Sequence, residues 1–190
     1  MIYLVLLLSL ILRLISLNQS LWLDEATTGL VAQMSLLDFF GKFMSSDFHP
    51  PLYYLVVSLW SLVAGYGEIA LRIPSVIFGV LNIYIVYRIA KEFKFRWPLV
   101  PALFLATSGL HMYAMATMLV TYLVYLFLKE KWLLFSTVLV LLFLTDYVSL
   151  LILPVLFLYR PFKKLVYSII PLVFAFLIWL PFLSKQLAAG

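Results

Sequence analysis

The stretch PLYYLVVSLWSLVA, residues 51–64, decides how the chain is read. It carries no charge, and at 1.5 Å per residue its 14 residues reach about 21 Å, short of a hydrocarbon core of about 30 Å. Counting it as a crossing would also put Lys91, Lys94 and Arg96 on the outer side, against the positive-inside rule. Length and charge agree that this segment is a helix lying beside the membrane.

Around it stands a chain of 190 residues, 66% apolar and 11% charged, with a mean hydropathy of +1.14. Soluble domains average about 45–50% apolar and about 25% charged, so this composition excludes a soluble globular protein. Seven spans of roughly 20 residues would take most of the length and leave no soluble domain. Zero cysteines exclude a disulfide framework, an iron–sulfur cluster and a thiol nucleophile. The formal charge of +5 sits in short clusters between apolar runs: Lys91, Lys94 and Arg96; Lys129 and Lys131; Arg160, Lys163 and Lys164. That is the pattern of cytoplasmic loops. No cluster offers a surface that could follow a nucleic-acid backbone.

Placing the three clusters inside sets the topology. Ile2–Leu17 reads as an uncleaved first span, with neither a charged leader nor a small-residue exit. Ile69–Ala90 is the second. The 32 residues of 97–128 form a hairpin of two short spans broken near Ser108-Gly109, and the 28 of 132–159 another, broken at Thr145-Asp146. Leu165–Leu183 closes the set. The expected fold is an all-α polytopic membrane protein of seven spans with its amino terminus cytoplasmic, one unit over 1–190. An outer loop, 18–68, carries two juxtamembrane helices, about 27–45 and 51–64. In the first, Leu30, Met34, Leu37 and Met44 recur at helical spacing.

On this topology the acids collect outside: Asp24, Glu25, Asp38, Asp47, Glu68 and Asp146. Asp24-Glu25 reads either as a helix start, where both charges suit the positive end of the dipole, or as a general base or metal ligand. His49, held before Pro50-Pro51, reads as a solvated loop residue or as a phosphate contact. Arg72, before Ile73-Pro74-Ser75, either anchors the interface or binds a lipid phosphate.

In order and spacing, Leu21-Trp22-Leu23-Asp24-Glu25-Ala26, His49-Pro50-Pro51-Leu52-Tyr53-Tyr54 and Ala70-Leu71-Arg72-Ile73-Pro74-Ser75 resemble the GT-C fold membrane glycosyltransferases. The nearest resemblance is to glycosyltransferase family 39, with its protein O-mannosyltransferases and lipid A aminoarabinose transferases, over nearly the whole chain. The resemblance implies a seven-span module with two juxtamembrane helices. It also implies inverting transfer of a sugar from a polyprenyl-phosphate donor to a glycan, lipid or protein acceptor on the outer face. It assigns Asp24, with Glu25 beside it, as the catalytic carboxylates, Asp24 as the base or as the candidate ligand of a divalent ion (Mg, Mn or Zn). His49 and Arg72 are assigned to the donor phosphate.

The second outer loop departs from the family pattern. Relatives carry an acid there, whereas this chain reads Thr107-Ser108-Gly109-Leu110-His111-Met112-Tyr113-Ala114. Asp146 is then the candidate substitute acid, with His111, Tyr113 and Tyr53 as supporting site residues. Relatives also continue beyond the point corresponding to Gly190. The alternative expectation is therefore a silent or truncated GT-C module, serving as a binding or assembly subunit beside a partner subunit or a missing C-terminal domain.

Overall fold

The computed structural model describes residues 1–15, 17, 23–107, 113–159 and 163–189, and among them there are helices and no strand. In chain order the helices are α1 (Ile2–Ile15), α2 (Leu23–Val31), α3 (Leu36–Gly41), α4 (Leu52–Ala64), α5 (Glu68–Glu92) and α6 (Leu99–Thr107). They continue with α7 (Ala114–Leu128), α8 (Trp132–Phe143), α9 (Ile152–Tyr159), α10 (Lys163–Ser168) and α11 (Ile170–Ala189). Phe43–Ser45 and Val148–Leu151 are short 3-10 turns.

Two stretches among the described residues, Glu68–Glu92 and Lys163–Ala188, are long and apolar enough to cross a membrane. At 25 residues, α5 reaches about 37 Å. The other helices expected to cross are apolar but short. α1, α7 and α8 have 14, 15 and 12 residues, and α6 has 9. The turns that make the hairpins end them early: α7 stops at Lys129–Lys131 and α8 at Leu144. Seven full-length spans are therefore not what the described residues contain. The last expected span, 165–183, is likewise divided, into α10 and α11, at Ile169. Pro171 has no N–H for the carbonyl four residues back, so a helix running in from α10 is interrupted there.

The outer-loop helix expected over 27–45 is also more broken than its apolar spacing suggested. α2 begins at Leu23, and the chain turns at Gln33-Met34. Ser35 then restarts the helix by accepting the backbone N–H of Asp38 at 3.1 Å, while its hydroxyl donates to the Asp38 carboxylate at 2.7 Å. This reciprocal cap overrides the continuous stripe. Met44 is fully buried, whereas Leu30 and Leu37 are exposed.

The segment 51–64 forms α4 from Leu52, and its corner with α5 explains how the site is built. Pro74 lies inside α5 and leaves the Ala70 carbonyl without its helical donor. The indole Nε1–H of Trp60 on α4 takes that acceptor at 2.8 Å. Further down, the Tyr53 hydroxyl lies 2.7 Å from Ser75 Oγ. The first turn of α4 is tied to α8 as well, because Leu52 N–H donates to Leu144 O at 2.8 Å. Double proline, α8 end and α5 thus meet at one corner.

The main core lies between α7 and α8, where Leu123, Phe135, Leu139 and Leu142 are fully buried. The carboxy-terminal helix joins it through the buried Gln186, whose amide donates to Met44 O at 3.0 Å. α1 packs on α5 at Gly79: a Cβ there would stand 2.8 Å from the Arg13 guanidinium carbon. The glycine is what admits that buried arginine, which also donates to Ser9 Oγ at 3.2 Å.

Candidate functional site

Three separated segments converge on one open cavity. The first turn of α2 brings Asp24 and Glu25, with Thr28 one turn on. The loop before α4 and its first turn bring His49, Pro50, Tyr53 and Tyr54. α5 brings Leu71, Arg72 and Ser75, and Tyr113, Met115, Ala116 and Thr145 complete the wall. Asp24, Glu25, His49, Tyr53, Arg72 and Tyr113, all singled out from the sequence, therefore share one site.

The ends of helices position these groups. Asp24 and Glu25 stand in the first turn of α2, where the unsatisfied N–H groups favour carboxylates. The Asp24 carboxylate has no hydrogen-bond or ion-pair partner among the described residues. Glu25 is engaged differently from its neighbour. Its Oε2 accepts Arg72 Nη2 at 2.7 Å and Nε at 3.3 Å, and Oε1 accepts Nε at 3.3 Å. Arg72 Nη1 also donates to Leu17 O at 2.6 Å. The pair is largely buried, with side chains 10% and 21% exposed, so each charge depends on the other. Arg72 is thus a fixed cation tying α5 to Leu17 and to α2, and Glu25 is its counter-ion.

His49 is held by a carboxylate that the sequence reading placed outside but did not assign to the site. Its Nδ1 lies 3.1 Å from Asp47 Oδ1, and Tyr54 Oη–H donates to Asp47 Oδ2 at 2.7 Å. The Asp47 hydrogen bond raises the His49 imidazole above its ordinary value; partial burial opposes it, and the charges of Asp47, Asp24 and Asp146 add to the rise. Partial burial pushes the Asp47 carboxyl up, but the bonds from His49 and Tyr54 outweigh it and hold the group below the usual carboxylate value. Burial, reinforced by Asp47, raises the Tyr54 phenol, and burial raises that of Tyr53. The sequence signal for Asp47 was present as Asp47-Phe48-His49, a carboxylate two residues before the histidine.

One expected contributor, Asp146, is not part of this wall. Asp146 serves its own turn: its carboxylate accepts the backbone N–H of Val148 and of Ser149, at 3.3 and 3.1 Å, and the Ser149 hydroxyl. It caps the Val148–Leu151 turn and reaches the site as charge only. His111 lies outside the described residues. For a divalent ion, Asp24 is one candidate ligand, Glu25 is committed to Arg72, and no group of three His, Asp or Glu side chains comes together among the described residues. The chemistry available to this wall is therefore that of one unpaired carboxylate, a histidine inclined to be cationic and a fixed guanidinium. Compared with protein families, curated proteins and solved structures, the chain matches none.

Proposed function

We propose that this chain is an integral-membrane glycosyltransferase of the GT-C type, taking a sugar from a polyprenyl-phosphate donor to an acceptor on the outer face. The observation that carries this reading is the convergence of Asp24, His49 and the Glu25–Arg72 pair on one cavity. In the proposed reaction the acceptor hydroxyl attacks the anomeric carbon from the face opposite the phosphate. The new C–O bond forms as the bond to phosphate oxygen breaks, and configuration inverts. The hydroxyl proton passes to the Asp24 carboxylate, which has no competing partner among the described residues. The departing phosphate gains negative charge, which His49 and Arg72 are suited to offset. The phosphate needs no proton from a strong acid to leave.

The same reading keeps the expected seven crossings, of which two, α5 and α10–α11, are long enough among the described residues to cross as helices, with α2–α4 on the outer surface and the amino terminus inside. Supporting it are the apolar side chains turned outward: Leu7, Phe104, Leu158 and Ile178 are all exposed. Such a surface suits lipid and not water.

Reconstitution into liposomes with a panel of polyprenyl-phosphate sugars tests the proposal. Wild type transfers sugar from at least one donor, and Asp24→Asn abolishes transfer while retaining donor binding. If no donor binds or reacts, the enzyme reading is overturned in favour of a module that binds or assembles without catalysis.

A further inference from the structure

Asp47, beside the cavity, has no role in the proposed transfer, although both ends of its carboxylate are held. It sits in the turn after Phe43–Ser45, and both of its oxygens are used: Oδ1 by His49 Nδ1, Oδ2 by Tyr54 Oη. Tyr54 is itself buried in the core. Phe43 and Phe39 pack edge-on against its ring, at centroid distances of 5.4 and 6.1 Å. On the other side of His49 the backbone is fixed by Pro50 and Pro51, the latter capping α4. A loop histidine left to solvent needs neither restraint.

We propose that Asp47 is a positioning residue, pinned to the core by Tyr54, that orients His49 so that its Nε2–H is offered to a phosphate group in the cavity. A carboxylate on Nδ1 fixes the hydrogen on that nitrogen, so Nε2 is the atom left to meet a ligand, and it has no partner among the described residues. Protonation of Nε2 then converts it from an acceptor into a charged donor, which is the form a phosphate oxygen binds. The groups facing His49 are Asp47 from its own loop, Asp24 from α2, Asp146 from the turn after α8, Tyr54 from α4, Tyr113 at the start of α7 and Arg72 from α5. The carboxylates favour the imidazolium, and among the described residues Asp47 is the one bonded to it.

This rests on the donor-phosphate reading above, and two measurements separate them. The first follows the imidazole signals of the full chain in nanodiscs against pH by NMR. The chain has two histidines, so the signal missing in His49→Gln identifies His49. Asp47→Asn moves its midpoint down toward the ordinary value of about 6.5. Tyr54→Phe, which keeps the ion pair, moves it less. The second measures binding of polyprenyl phosphate, inorganic phosphate and phosphatidylglycerol vesicles. At pH 7.5, Asp47→Asn weakens binding of polyprenyl phosphate about fivefold or more, and lowering the pH to about 5.5 restores it, because the imidazole then charges unaided. Inorganic phosphate shows the same dependence more weakly, and phosphatidylglycerol shows none.

An unmoved midpoint in Asp47→Asn overturns the inference. So does polyprenyl-phosphate binding by Asp47→Asn equal to wild type at pH 7.5; the donor reading then stands without it. Wild type that binds polyprenyl phosphate at neither pH overturns the phosphate assignment together with the proposed function. Phosphatidylglycerol binding with the same Asp47 dependence reassigns His49 to bulk lipid and overturns the inference.

Discussion

Arg72 on α5 and Glu25 on α2, 47 residues apart, form a side-on ion pair with Nη2 and Oε2 at 2.7 Å. Because both side chains are largely buried, removing one partner strands the other. We expect Glu25→Gln and Arg72→Gln each to destabilise the chain by about 2–3 kcal/mol, with the double variant well short of additive. A double-mutant cycle on thermal unfolding in detergent should return a coupling of about 1–3 kcal/mol. Additive losses would mean that the pair holds nothing together. The role expected for Glu25 as a second catalytic acid changes accordingly: its loss acts through the position of Arg72.

The Trp60–Ala70 bond makes a conditional prediction. Trp60→Phe leaves the Ala70 carbonyl unpaired, since Pro74 supplies no N–H, and should cost about 1–2 kcal/mol. In a Pro74→Ala background the helix supplies its own donor to Ala70. The same Trp60→Phe substitution should then lose most of its cost, and comparing the two backgrounds by thermal unfolding isolates the hydrogen bond from the lost ring packing.

The raised imidazole of His49 fixes the sign of a pH effect. A group whose folded value lies above its unfolded one contributes stability that is fully present below the ordinary value of about 6.5 and fades as pH rises through the folded value. The wild type should therefore lose part of its thermal stability between pH 6 and pH 8.5, and Asp47→Asn should lose less across the same window. His49 is about half exposed, so solvent screening keeps the difference small. Paired melting curves in one detergent, at fixed ionic strength, measure it.

Where these features were legible in the sequence, the signal was local. Pro50-Pro51 marks the corner that holds His49, and Asp24-Glu25 marks the start of α2, so the residues of the site could be named before their partners were known. What the chain does not print is pairing across distance. Nothing near Glu25 says that its partner is Arg72, and nothing near Pro74 says that Trp60 answers its missing N–H. In one place a local signal was outweighed wrongly. Ser35-x-x-Asp38 is a capping pattern, but the apolar recurrence of Leu30, Met34 and Leu37 suggested a continuous helix. All three of those side chains turned out to be exposed surface. Asp146 shows the converse: an acid at a turn was given chemistry, while Ser149 three residues later was the mark of a cap.

Gln186 supplies the last test. Its side chain is 1% exposed, its amide nitrogen donates to Met44 O at 3.0 Å, and its Oε1 accepts from Tyr147 Oη at 3.4 Å. Tyr147 in turn accepts Trp179 Nε1–H at 2.6 Å. Helix α11 is thereby fastened to the turn that leads into Asp47 and His49. Gln186→Leu preserves much of the volume but leaves the Met44 carbonyl without its donor, a loss of about 1–3 kcal/mol. If the fastening holds the turn in place, protease cleavage within residues 42–50 in nanodiscs should quicken in Gln186→Leu and polyprenyl-phosphate binding should weaken in parallel. Faster cleavage with unchanged binding would show that the cavity keeps its shape through α4 and α5 alone.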